Sequence, residues 1–194
     1  MSDLIDTTEM YLKTVYELEE DGVTPLRARI VERLDHSGPT VSQTVARMER
    51  DGLIHVAPDR SLELTEAGRH RATEVVRKHR LAERLLLDVI RLDRNLVHQE
   101  ACRWEHVMSD DVEARLLAVL DDPGVDPFGN PIPEAGEQRP APAADEMSVE
   151  EARRRGVQRG VIKRLGEPVQ AREEVFTEIN KAGIAPGVSV NIST

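Results

Sequence analysis

The chain has 194 residues, 32% of them charged and 3% aromatic, with 36 Asp and Glu against 26 Lys and Arg for a formal net charge of −10. That length allows one or two domains, and it holds neither an apolar run that could span a bilayer nor, in the acidic start MSDLIDTTEM, the basic and apolar regions of a signal peptide. A single cysteine excludes an intrachain disulfide framework and fits a cytoplasmic, reducing location, while the negative charge argues against a generic polyanion binder and leaves a local DNA footprint open.

Asp6, with Glu9 three residues on, marks a helix start of the capping-box kind. Leu12, Val15, Tyr16 and Leu18 give that helix an apolar face, and Gly22 stops it. Thr24-Pro25 is expected to open a second helix, as cap and first position, with Leu26, Ile30 and Leu34 at helical spacing. Ser37-Gly38-Pro39-Thr40 separates it from a third, whose inner face is Val41, Val45 and Met48 and which ends at Gly52. Short helix, tight turn and short helix is the helix-turn-helix pattern. The outer face of its second helix offers Thr40, Ser42, Gln43, Arg47 and Arg50. Gln can pair with adenine through two hydrogen bonds, while Ser and Thr reach bases or phosphates. Leu53 to Ala57 and Ser61 to Leu64 are expected as two strands joined at Pro58-Asp59, which makes the winged form of the motif. Gln43, Ser37, Pro39 and Thr40 are the candidate groove contacts, and Arg60 near the hairpin tip is a candidate phosphate contact. Arg27 is a further candidate DNA contact. The same pattern also fits a helical subdomain with a hairpin and no ligand.

Thr65 can cap a long helix reaching about Ile90, with Leu81, Leu85, Leu86 and Val89 on its apolar side. A helix from Asn95 through Met108 follows, and another from Asp110 with Val112, Leu116, Val119 and Leu120. These helices either pair two subunits or pack an internal core. Composition then shifts to proline, glycine, alanine and acidic residues. Asp126-Pro127-Phe128-Gly129-Asn130-Pro131 is expected as an ordered turn, and residues 136–148 as a flexible linker. The short apolar pieces after it, Val157, Val161-Ile162, Val175-Phe176, Ile184 and Val188 to Val190, suggest a small β-rich module with too few strands to close a barrel.

The chemistry concentrates in Cys102-Arg103-Trp104-Glu105-His106. Thiolate, carboxylate and imidazole at this spacing share one face if the segment is helical, and His98 lies one turn earlier on that face. His79 and Glu83 form another pair one turn apart. Each part alone has a plainer reading: a surface pair, a small buried cysteine, a core Met10. Together they point to a transition-metal site. The mixture of oxygen, nitrogen and one sulfur suits iron(II), cobalt, nickel or zinc rather than calcium or magnesium. There is no second cysteine for a zinc finger. A metalloenzyme, with Glu105 acting on metal-bound water, is the reading from another class. It lacks a pocket of further catalytic groups and leaves the helix-turn-helix unexplained.

Taken with Asp6 to Leu12, Gly38 to Val45, Arg47 to Leu53, Lys78 to Arg84, Glu100 to Ser109 and Asp126 to Pro131, the chain strongly resembles the diphtheria toxin repressor family of iron-dependent transcriptional repressors. The likeness covers about residues 3–133. It implies a mainly α protein: a winged helix-turn-helix domain (residues 1–72), a helical dimerisation and metal-binding domain (73–135), the linker (136–148) and a partial SH3-like module (149–194). It implies a primary metal site at Met10, Cys102, Glu105 and His106, and an ancillary site at His79, Glu83 and His98, joined by Glu167 and Gln170 of the third module. Met10 with Cys102 resembles the iron-responsive branch more than the manganese-responsive one. The implied function is an iron(II)-activated homodimeric repressor on double-stranded palindromic operators of iron-uptake or siderophore genes, with up to two dimers on each. Cobalt, nickel, zinc or manganese would act as surrogates for iron. A manganese or zinc regulator of the same fold is the alternative.

Overall fold

The computed structural model describes residues 6–134, 136–137 and 146–193. Its first helix, α1 (Thr7–Glu20), is capped by Asp6, whose carboxylate accepts from the backbone N–H of Thr8 and Glu9. The reciprocal half of a capping box is replaced: the Glu9 carboxylate turns instead to Arg71 and His106. The next helices are α2 (Arg27–Leu34) and α3 (Gly38–Arg50), followed by β1 (Ile54–Val56) and β2 (Leu62–Leu64). The strands pair antiparallel with Ile54 opposite Leu64 and Val56 opposite Leu62. This is the expected winged helix-turn-helix.

Two local expectations are corrected. Thr24-Pro25 does not open α2; the helix starts at Arg27, with Leu26 in the cap position. Pro25 stays extended enough for its carbonyl to accept from Leu62 N–H at 2.8 Å, so it borders the wing. Gly38 and Pro39, expected in the turn before α3, already form its first turn, because Ser37 caps the helix and its hydroxyl accepts from Thr40 N–H. Proline at that position loses no helical hydrogen bond.

One core fills this half. Tyr11, Leu12, Val15 and Tyr16 of α1 meet Ile30, Val41, Val45, Met48, Ile54 and Leu62, with Ala72 and Val76 from α4 (Glu66–Arg84) closing it. The long helix then changes character. Leu85–Val89 forms a π-helical turn rather than more α-helix, and Arg91 follows with φ 63°. After it come α5 (Arg94–Trp104) and α6 (Asp110–Val119). The domain boundary expected at residue 72 falls inside α4. That helix is therefore a continuous strut, and its C-terminal part enters a second core with Ala82, Leu86, Val97, Ala101, Phe128, Leu165 and Phe176.

The turn at Asp126 to Pro131 has a further use. Its Asp126 carboxylate accepts from the N–H groups of Phe128 and Asn130 and from the Asn130 amide. Phe128 and Asn130 then bind the backbone of Leu165. The rest of the chain docks here as α7 (Val149–Arg154), β3 (Arg159–Val161), α8 (Glu167–Gln170), α9 (Glu173–Lys181) and β4 (Ser189–Asn191). β3 and β4 pair antiparallel. The tail is thus less β-rich than expected: Val175-Phe176 sits in α9, where Phe176 packs edge-on against Phe128 at 5.4 Å. Most of the expected linker, residues 138–145, lies outside the described residues, as do residues 1–5. Among the described residues no helix is long and apolar enough to cross a membrane.

The wing is seated on α4 through backbone contact. Thr65 donates from its hydroxyl to Gly52 C=O and from its N–H to Leu53 C=O, and its hydroxyl oxygen accepts from Gly68 N–H. A methyl group at Gly68 would collide with the Leu53 carbonyl, which is backbone and cannot swing aside. Gly68→Ala should therefore lower unfolding free energy by about 1–3 kcal/mol in a urea titration, despite alanine's better helix propensity.

Candidate metal centre

The candidate ligands lie where α4 passes from one core to the other. His79 and Glu83 are one turn apart on α4 and fully buried. His98 and Cys102 are one turn apart on α5, as the spacing predicts. The nitrogen and sulfur ligand atoms of His79, His98 and Cys102 all lie within 4.8 Å of one another. Glu105 still donates its N–H to Ala101 C=O in α-helical fashion, while His106 lies past the end of α5. α5 ends at Trp104, whose carbonyl accepts from both Val107 and Met108 as the chain turns toward the Ser109 cap of α6. The turn still directs both side chains inward.

Glu105 is the hub. Its Oε2 lies 2.6 Å from His79 Nδ1 and 2.7 Å from Lys13 Nζ, and its Oε1 lies 3.2 Å from His106 Nε2. The other nitrogen of His106 meets Glu9 Oε2 at 2.8 Å. Glu83 Oε1 lies 3.0 Å from His79 Nε2 and 3.4 Å from His98 Nδ1. Glu167, on α8, places Oε2 at 3.2 Å from Lys13 and 3.9 Å from His79, and Oε1 at 3.3 Å from Arg80. Gln170 donates to Leu165 C=O. Met10 is half-buried against the N-terminal core, and its neighbour Glu9 makes the contact to His106. The residues expected as two sites are therefore interleaved. His79 bridges to Glu105, and Cys102 sits 3.7 Å from His98.

The charged side chains that surround these candidates have no place in the sequence pattern as read for a metal site. Lys13, Glu17 and Glu20 are buried on one face of α1, and Arg80 is wholly buried on α4. Arg80 holds Glu20 through two nitrogens, at 2.9 and 2.6 Å, and also reaches Pro131 C=O. The signal was present as Glu9, Lys13, Glu17 and Glu20, charges recurring every three or four residues. Such a stripe usually faces water; here it faces α4, the end of α5, and α8.

Burial would push His79 down, yet the Glu83, Glu167 and Glu105 carboxylates outweigh it and Lys13, holding the imidazole well above its ordinary range. Burial likewise opposes charge on His98, but hydrogen bonds to Cys102 and Glu83 bring it up to about 9. Burial would raise the Cys102 thiol; Lys13 and His79 pull it down to about 6. Burial and the neighbouring Glu167 push Glu17 well above the carboxylate range. The carboxylates and the Cys102 sulfur therefore hold His79, His98 and Lys13 in their charged forms.

A divalent transition metal fits this chemistry. Two buried oxygens, Glu83 Oε2 and Gln170 Oε1, have no hydrogen-bond partner. Unpartnered buried acceptors are costly unless something electropositive meets them. Beside Glu83, the ligand atoms of His79, His98 and Cys102 converge.

Comparison with known proteins decides the family. Residues 3–62 match the N-terminal DNA-binding domain of the iron-dependent repressors, and residues 65–134 match their metal-binding and dimerisation domain. The chain belongs to the iron-dependent repressor family. It is 57% identical over 196 residues to a diphtheria toxin repressor of Corynebacterium glutamicum, covering 99% of this chain and 86% of that one. It is 57% identical over 201 residues to the iron-dependent repressor IdeR of Mycobacterium tuberculosis, covering 100% and 86%. Among solved structures it is similar to a manganese-dependent transcriptional repressor in complex with manganese, with TM-score 0.76 and 28% identity over 94% of this chain and 81% of that one. It is also similar to ScaR with bound zinc, with TM-score 0.77 and 26% identity over 96% and 83%. As an iron-dependent repressor, this chain is a metal-binding, DNA-binding transcriptional regulator and not an enzyme.

The Arg80–Glu20 pair ties α4 to α1 beneath the ligand cluster. Removing one partner strands a buried charge, so Arg80→Met should cost about 3–5 kcal/mol in denaturant unfolding. Adding Glu20→Met should recover part of that loss, and only part, because Glu167 also faces Arg80.

Proposed function

We propose that this repressor is activated by iron(II) and acts as a cytoplasmic homodimer on palindromic operators of iron-uptake or siderophore genes. Cobalt, nickel, zinc and manganese would serve as surrogates. The observation that carries this reading is the joining of the DNA-reading half to the ligand cluster. Glu9 and Lys13 of α1 contact His106 and Glu105, which lie just past the helix bearing His98 and Cys102. In the proposed assignment, Met10, Cys102, Glu105 and His106 hold the primary ion, and His79, Glu83, His98, Glu167 and Gln170 hold the ancillary one. Cys102 and Met10 favour a softer ion than calcium or magnesium, while cellular availability selects among the transition metals.

When bound, the ion supplies a compact positive charge that several donors from separate helices can share. The residues do the rest. Glu9 and Lys13 hold the start of α1 against the end of α5. α4 transmits that position to the wing, through the Thr65 and Gly68 contacts with Gly52 and Leu53. Fixing α1 and the wing on a dimer sets the spacing of two recognition helices, as a palindrome with fixed half-site separation requires. The coupling free energy is the difference in ion affinity between the DNA-competent arrangement and the others. Val89, Ile90, Leu96, Val107 and Val112 are large apolar side chains exposed on and around α5 and α6, which suits self-association of this half.

The proposed DNA face is equally concrete. Ser42, Gln43, Arg47 and Arg50 are exposed along α3, with Pro39 and Thr40 at its start. Ser37 is exposed and serves as the helix cap. Arg27 is half-buried at the start of α2. Arg60 is exposed at the wing tip with φ 71°, where Asp59 accepts from Ser61 and shapes the turn. Gln43 is the proposed base reader, and the arginines are the proposed phosphate contacts.

Anaerobic titration of the purified protein with iron(II) on an operator fragment tests the function. Binding should tighten at least about a hundredfold on adding metal. Cys102→Ala and His106→Ala should each abolish that gain while the fold, followed by circular dichroism, survives. Equal binding with chelator and with metal would refute the reading. Gln43→Ala should relax discrimination at one base pair per half-site by about 1–3 kcal/mol. Uniform weakening across all operator variants would make Gln43 a positioning residue.

A further inference from the structure

The proposed ligands divide into two kinds. Glu83 Oε2 and Gln170 Oε1 are buried and unpartnered. Glu105 and Glu167 are fully engaged. Each Glu105 oxygen has a partner, with Lys13 and His79 on Oε2 and His106 on Oε1. Glu167 is held by Lys13 on one oxygen and Arg80 on the other. A single ammonium, 6% exposed, thus joins the two carboxylates that come from different modules of the chain. Its third carboxylate neighbour, Glu17, lies 3.9 Å away. Lys13 reaches this place from α1, the helix of the DNA-reading half.

An ammonium and a divalent ion want the same lone pairs. They also repel each other strongly at short range in a buried setting. We propose that Lys13 is a tethered competitor of the metal ion, holding Glu105 and Glu167 from α1 and so setting the metal concentration at which these carboxylates become ligands. This rests on the reading of the cluster as a metal site. The competition has a mechanical consequence: a carboxylate given to the ion is one released by α1. Metal loading therefore rearranges the seat of α1 instead of simply adding a bond to it. Affinity is deliberately lowered, because part of the binding free energy goes into displacing the ammonium.

Lys13→Met keeps the length of the aliphatic stem and removes the charge, whereas Lys13→Arg keeps the charge. Nickel(II) affinity of wild type and both variants can be read by competition with a chromophoric chelator. The proposal expects Lys13→Met to bind at least about tenfold more tightly than wild type, and Lys13→Arg to bind less tightly than Lys13→Met. Affinity in Lys13→Met equal to or below that of wild type would overturn the proposal while leaving the metal site intact. Failure of wild type to compete with the chelator at all would overturn the metal-site reading itself, and this proposal with it. If Lys13→Met is too unstable at working temperature for the chelator assay, its melting temperature with and without nickel, read from a low starting temperature, supplies the measurement. A larger nickel-induced rise than in wild type supports the proposal, and an equal or smaller rise overturns it.

Discussion

The Glu105 carboxylate, buried and shared among His79, Lys13 and His106, is the point on which the arrangement depends. These partners come from α4, α1 and the turn after α5. A buried carboxylate must find positive or hydrogen-bonding partners, because desolvation without them costs several kcal/mol. That requirement draws three separate segments to one place more selectively than apolar packing does. Apolar contact fixes proximity; a carboxylate with two oxygens and directional partners also fixes orientation.

Around this hub the fold resembles two cores threaded on one strut. α4 contributes Ala72 and Val76 to the first core, Ala82 and then the π-turn residue Leu86 to the second, and His79, Arg80 and Glu83 between them. Any change in how the middle of α4 is held is felt by the wing on one side and by α5 on the other. The C-terminal segment joins the same seam. Glu167 and Gln170 are presented by a single short turn of helix, and Asn130 pins the Leu165 carbonyl just before it. Arg164 adds contacts to Glu20 C=O at 2.9 Å and to Asp21. α1 is thereby gripped from both sides by charges.

Charge placement also reconciles an acidic protein with a DNA-binding family. The formal net charge of −10 includes Glu17, Glu20, Glu83, Glu105, Asp126 and Glu167, all buried. Their field is spent on Lys13, Arg80 and imidazoles inside the molecule. α3 meanwhile exposes Arg47 and Arg50, with Ser42 and Gln43, on its outer face. Net charge sums over both populations, so it is a poor guide to what a particular face can bind.

The sequence by itself determined the order of elements up to α6, the π-turn at Leu85–Val89 apart, and the residue types of the candidate ligand cluster. The helix-turn-helix was legible because apolar spacing, caps and turn residues are local, and Cys102 with His98 was legible because one helical turn brings them together. Local spacing misjudged Pro25, whose carbonyl is taken by the distant Leu62, and His106, which lies past the end of α5. It also misjudged Val175-Phe176, helical because Phe176 packs on Phe128. Only the tertiary structure decided that the Lys13, Glu17 and Glu20 stripe is interior and that the two expected ligand sets share one network. Whether a charged helix face meets water or another charged face depends on residues sixty to ninety positions away, as in the Glu20–Arg80 and Lys13–Glu105 pairs. No local pattern carries that information, since a solvated stripe and a buried one obey the same periodicity.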